Sequence, residues 1–140
     1  MNEAVNPDTV WKPFGAFSMA VVQGGGQIVH LKGQVALNRE GAIVGASDMR
    51  AQVRQVLENI QAVLGSMGGE MADILSLVHY ATDIDAFMKT SDIRREFFTP
   101  PYPVTTTVQV ARLYDPRLLI EITAVVEIAH ARFVRPGGSG

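Results

Sequence analysis

The sequence predicts an α+β protein, with a mixed β-sheet carrying two helices on one face. Three observations lead there. One long segment repeats apolar residues at spacings of three and four, the period of an amphipathic helix. Segments near both ends alternate apolar and polar residues with a period of two. Glycine and proline clusters then divide the chain into the order β-β-(β)-α-β-α-β-β.

The elements follow in turn. "FSMAVVQGGGQIVHLKGQVAL" holds two strand-like runs around Gly24, Gly25 and Gly26, which predicts a hairpin. In the second run Val29, Leu31, Gly33, Val35 and Leu37 share one face. "NREGAIVG" supplies a turn at Glu40–Gly41. "SDMRAQVRQVLENIQAVLGSMGG" is the clearest helix, with Val53, Val56, Leu57, Ile60, Val63, Leu64 and Met67 in its apolar stripe. Ser47 or Asp48 caps its start, and a glycine at 65, 68 or 69 ends it. Arg50, Arg54, Glu58 and Gln61 form its solvated side. "ADILSLVHYATDI" is apolar on both faces, as expected of a central strand. "DAFMKTSDIRREFF" reads as a second helix capped by Asp83 or Asp85, and "TPPYP" stops it.

Two strands close the fold, joined by a turn at Tyr114-Asp115-Pro116. In the last, Ile120, Ile122, Ala124, Val126 and Ile128 form the apolar set. In the strand before it, Val104, Val108 and Val110 are expected to join the core, and Thr105, Thr107 and Gln109 to face outward. Hairpin pairing about Asp115 then sets Gln109 opposite Glu121 and Thr107 opposite Thr123. The outer face also carries Leu119 and Val125, a mixture suited to a subunit contact that lines a pocket.

Composition narrows the function. The chain has 140 residues, 47% of them hydrophobic, enough for one domain, placed at residues 1–134. Residues 135–140 read as a flexible tail. A net charge of −2 argues against a nucleic-acid partner. No cysteine is present, which excludes thiol chemistry. No apolar run is long enough to span a bilayer and no signal segment is visible, so a cytoplasmic protein is expected. His30, His79 and His130 fall on separate segments, so no metal or cofactor is expected. "QGGGQ" and "GSMGGE" lack the lysine and spacing of phosphate loops. Trp11 is expected to anchor the N-terminal segment by packing.

The motifs "GQVAL", "QVRQVLENIQAVL", "DIDAF", "REFF" and "VQVARL…IEI" occur in an order that resembles the RidA/YjgF (L-PSP) family, across roughly residues 15–130. The resemblance implies a chorismate-mutase-like fold and a homotrimer with a central barrel. It also implies clefts between subunits where reactive enamines and imines are hydrolysed to keto acids with release of ammonia. By this likeness Gly33 offers a backbone N–H to the ligand, Lys32 precedes it, and Phe17 is the early aromatic residue. Ser91 stands about where the family has an asparagine, Thr107 where cysteine is common, and Glu121 resembles the residue that positions water. The departure is Thr105, where archetypal deaminases carry an arginine that clamps the substrate carboxylate. Its absence would cost on the order of 2–4 kcal/mol of binding to such a substrate. Lys32 is one replacement for that charge; a substrate without a carboxylate is another.

The expected function is therefore a cofactor-free deaminase or hydrolase for a small unsaturated ligand, distinct from a standard 2-aminoacrylate deaminase. The alternative is a non-catalytic module of the same fold that binds a small ligand or a protein.

Overall fold

In the computed structural model the described residues are 2–135, so all of the expected tail but Arg135 lies outside them. Strands β1 (Glu3–Val5) and β2 (Ala20–Val22) form a small antiparallel ribbon. A second sheet is built from β3 (Gln27–His30), β4 (Ile74–Ala81), β5 (Val104–Gln109) and β6 (Ile120–Ile128). Its order is β3-β6-β4-β5, and only β4 and β5 run parallel. Helices α1 (Met49–Gly65), α2 (Ile84–Met88) and α3 (Ser91–Phe97) complete the α+β architecture with its mixed sheet. Among the described residues, no helix is long and apolar enough to cross a membrane.

Helix α1 starts where Asp48 accepts a hydrogen bond from the Ala51 N–H, at 3.1 Å. Past its end Gly68 takes φ of +78°, which a glycine adopts without steric cost. The stripe Val53, Val56, Leu57, Ile60 and Leu64 is buried against the alternate set of β6, Ile120 to Ile128, which is also buried. Val63, at 37% exposure, lies off the stripe. The polar side of α1 is less free than its composition implies. Arg50 and Arg54 make two-pronged ion pairs with Asp92 and Glu96 of α3. These pairs are exposed and screened by solvent; with Ile93 buried in the core, they orient α3 against α1.

The structure departs from the sequence expectations at four places. The glycine triplet does not close a hairpin: β2 pairs with β1, and β3 with β6. Gly26 is needed for close approach instead. Its N–H donates to Glu127 Oε1 at 2.7 Å, and a Cβ there would collide with Glu127 and the Ile128 carbonyl.

The run after β3 does not continue as a regular strand to Leu37. His30 pairs with Val125 and Gln34 with Ile122, so four steps on one side match three on the other. This bulge breaks the period of two and buries both Val35 and Ala36.

The second helix is two helices. The buried Thr90 hydroxyl donates to the Phe87 carbonyl at 2.6 Å and ends the first of them. Asp83 caps α2 through the Ala86 N–H.

The largest correction concerns β5 and β6, which do not pair. β4 lies between them, with Val110 N–H bonded to Ala81 O on one side and Thr82 N–H to Leu119 O on the other. The Asp115 turn exists, but it sits within a loop that carries the chain past the end of β4. This register reverses the faces of β5. Thr105 lies beside Leu77 and Thr107 beside His79, both buried residues on the helix side. Val108 faces the other way and is 39% exposed.

Candidate active site

The bulge after β3 determines the first half of the site. It carries Gly33 directly over Glu121, so closely that a Cβ would overlap the carboxylate and lie 2.9 Å from Glu121 Cδ. Gly33 N–H makes no hydrogen bond among the described residues, because the neighbouring bonds to β6 are taken by Leu31 and Gln34. Glu121 sits opposite Tyr80 on the outer face of the sheet. A cavity of about 380 Å³ opens there, lined by Gly33, Tyr80, Val110, Arg112, Leu113, Glu121 and Thr123. Arg112 donates to the carbonyls of Leu113 and Tyr114, which holds the loop that forms the cavity wall. A carboxylate beside an unbonded N–H can accept a proton from water while the N–H holds an oxygen. Lys32 is exposed and lines a neighbouring groove with Gly33, Glu58 and Tyr114.

The second half lies around β5. Thr105 and Thr107 are half-buried on the helix side, and Thr107 Oγ1 is hydrogen-bonded to His79 Nδ1 at 2.9 Å. The His79 ring packs on Phe87, centroids 4.8 Å apart, and the Arg94 guanidinium lies 4.5 Å over the same Phe87 ring. Half-buried Ser91 starts α3, one turn before Arg94. Phe17 is held near the start of β5 by its neighbour: Ser18 N–H donates to Pro103 O at 2.9 Å and its hydroxyl to Tyr102 O. Phe17 makes edge contacts with Trp11 and Phe14. Trp11 stacks on Phe14 but remains 60% exposed, so it anchors less than its size suggests.

Thus Gly33 and Glu121 meet on one face of the sheet, while Thr105 and Thr107 stand on the other. Sequence reasoning passed over Tyr80 and Arg94, weighed His79 only as a metal ligand, and named Thr123 only as a pairing partner. Thr123 shares Glu121's face by the period of two and was legible. Arg94 left no signal, since one arginine in "SDIRREF" looks like the next.

His79 carries a consequence for stability. Burial, and then the charge of Arg94, hold its pKa at about 3, against an ordinary 6.5. Between those values the unfolded chain binds the extra proton and the folded chain does not. Stability therefore falls as pH drops through that window. Going from pH 7 to pH 4.5 should remove roughly 2–3 kcal/mol through this group. Urea unfolding of wild type and His79→Gln at both pH values measures it. An equal pH dependence in the two proteins would show that folded His79 accepts the proton.

Comparisons with known proteins agree with this architecture. Residues 8–128 match the family model described as endoribonuclease L-PSP. A RutC family protein of Pyrococcus horikoshii is 32% identical over 125 residues, covering 89% of this chain and 97% of its own. A 2-iminobutanoate/2-iminopropanoate deaminase of Dermatophagoides farinae is 31% identical over 117 residues, covering 83% of this chain and 90% of its own. Among solved structures, a Rid family protein of unknown function from Yersinia pestis superposes with a TM-score of 0.83. It is 34% identical and covers 91% of this chain and 98% of its own. A family match from residue 8 to residue 128, on the same α+β fold, makes this chain a member of the RidA/YjgF (endoribonuclease L-PSP) family.

Proposed function

We propose that this protein hydrolyses a small imine, enamine or related unsaturated metabolite, without a cofactor, in clefts between the subunits of a cytoplasmic homotrimer. The observation that carries this reading is the Glu121 carboxylate set against the unbonded Gly33 N–H in an open cavity. Glu121 takes a proton from water as the water oxygen bonds to the imine carbon, then returns it to the nitrogen. The hydroxyl proton of the resulting carbinolamine then passes through Glu121 to the same nitrogen, so that ammonia leaves as the C–N bond breaks and the carbonyl forms. Gly33 N–H holds an oxygen of the ligand.

Thr105, Thr107, Phe17 and Ser91 of a neighbouring copy form the opposite wall, and Lys32 lies at the rim. Two copies are needed because, in one protomer, Glu121 and the two threonines are on opposite faces of the sheet. Exposed Val108 on the outer face gives the copies an apolar surface to share. The similarity to a named imine deaminase supports the chemistry.

The test is ammonia release from freshly generated 2-iminobutanoate and 2-iminopropanoate, with the assembly mass measured by light scattering. Release above the buffer rate by a trimer is expected. Binding of 2-oxobutanoate with no release would indicate a binding module instead, and a monomer would remove the cleft. Thr105→Arg places a long cation where the pocket wall has a hydroxyl, and should change turnover of the short 2-iminopropanoate at least tenfold. Unchanged turnover would take Thr105 out of the pocket.

A further inference from the structure

Four arginines of this chain are neutralised by carboxylates: Arg50 by Asp92, Arg54 by Glu96, Arg117 by Asp115 and Arg132 by Asp73. Arg94 differs. Like the exposed Arg39, Arg95, Arg112 and Arg135 it has no carboxylate partner among the described residues, but it is half-buried and its Nε is buried with no hydrogen-bond partner. Its placement is enforced. Asp92 and Glu96 lie on one side of α3, gripped by α1, which turns residue 94 to the opposite side, against Phe87. The Phe87 ring supports the guanidinium plane and leaves its N–H edge to find another partner. The polar groups on the Phe87 side, His79 and Thr107, are neutral. Burial keeps His79 uncharged, and it is occupied with the Thr107 hydroxyl. Desolvation, followed by the charge of Arg95, lowers the pKa of Arg94, the mark of a cation without a counter-charge. A buried guanidinium donor left unsatisfied is costly, and its planar fork matches a carboxylate in two parallel bonds.

We infer that Arg94 holds the carboxylate of the ligand, with Thr105 and Thr107 beside it, so that this protein takes small carboxylate-bearing imines and their 2-oxo acid products. The inference rests on the imine-hydrolase reading for the remainder of the pocket, and can be tested apart from it. A substrate oriented from α3 presents its imine carbon from a different direction than one clamped at position 105.

The test titrates the intact protein with 2-oxobutanoate and, as the neutral control, its methyl ester, by calorimetry. Wild type should bind the acid at least tenfold more tightly than the ester. Arg94→Met keeps the side-chain stem over Phe87 and removes the charge. It should weaken the acid about 30-fold or more and leave the ester unchanged. Arg94→Lys should fall between, and decides the matter if Arg94→Met fails to fold by circular dichroism.

Affinity for the acid within threefold of wild type in the folded variant would overturn the inference. An altered assembly mass at unchanged affinity would overturn it too, because the partner of Arg94 would then be a carboxylate of a second copy. Ammonia release with an unchanged KM in Arg94→Met removes this inference alone. Arg94-dependent binding of 2-oxobutanoate with no release from any imine supports it and removes the hydrolase reading.

Discussion

Glu121→Gln should lower kcat/KM for ammonia release from 2-iminobutanoate about 100- to 10,000-fold, the range expected for loss of a positioned acid–base group. The substitution keeps the shape of the side chain. Glu121 is half-buried at the cavity wall and no ion pair holds it among the described residues, so thermal stability should change by less than about 1 kcal/mol. Gly33→Ala is the companion. Its methyl group would occupy the carboxylate's position, so activity should fall although no titratable group is lost. Comparing both variants in steady-state kinetics and thermal melts separates chemistry from folding. Full activity in Glu121→Gln would remove it as the proton carrier.

The second large effect concerns stability. Gln52 is 0% exposed, and its amide closes three bonds. Nε2 donates to Gly45 O at 3.0 Å and Arg117 O at 2.8 Å, and Oε1 accepts from Leu119 N–H at 2.8 Å. One side chain thus pins α1 to the segment that leads into β6. Gln52→Ala would leave three backbone groups without partners in a site too enclosed for easy hydration. The expected loss is about 3–5 kcal/mol, read from chemical denaturation. A loss below about 1 kcal/mol would mean that water replaces the amide freely.

These two residues also mark what was legible in the chain. Glu121 could be found from the alternation of β6, where five apolar residues leave it on the opposite face. Helix α1 was equally plain, since its stripe depends only on local spacing. Gln52 was legible in principle, because it precedes Val53 and lies one turn before Val56 on the buried side.

The pairing of β5 was not. A turn at Asp115 looks the same whether two strands are neighbours or straddle a third, and only the apolar character of β4 on both faces hinted at the second case. The faces of β5 were misread for a related reason. Three successive threonines offer no polarity contrast, and valines that look like core residues belong to the outward side of an edge strand. Arg94 lay beyond reach because the packing of α3 against Phe87 and α1 is a tertiary contact with no local pattern.

The position of β6 has one more consequence, for synthesis. β3 finds its ladder partner about a hundred residues downstream, and much of the wall on which α1 rests comes from Ile120 to Ile128. While the ribosome is still making these residues, the earlier stripe of α1 lacks the largest part of the wall it closes against and keeps apolar surface exposed. Completion of the sheet therefore waits for the final strand, so the core closes only when synthesis is nearly done.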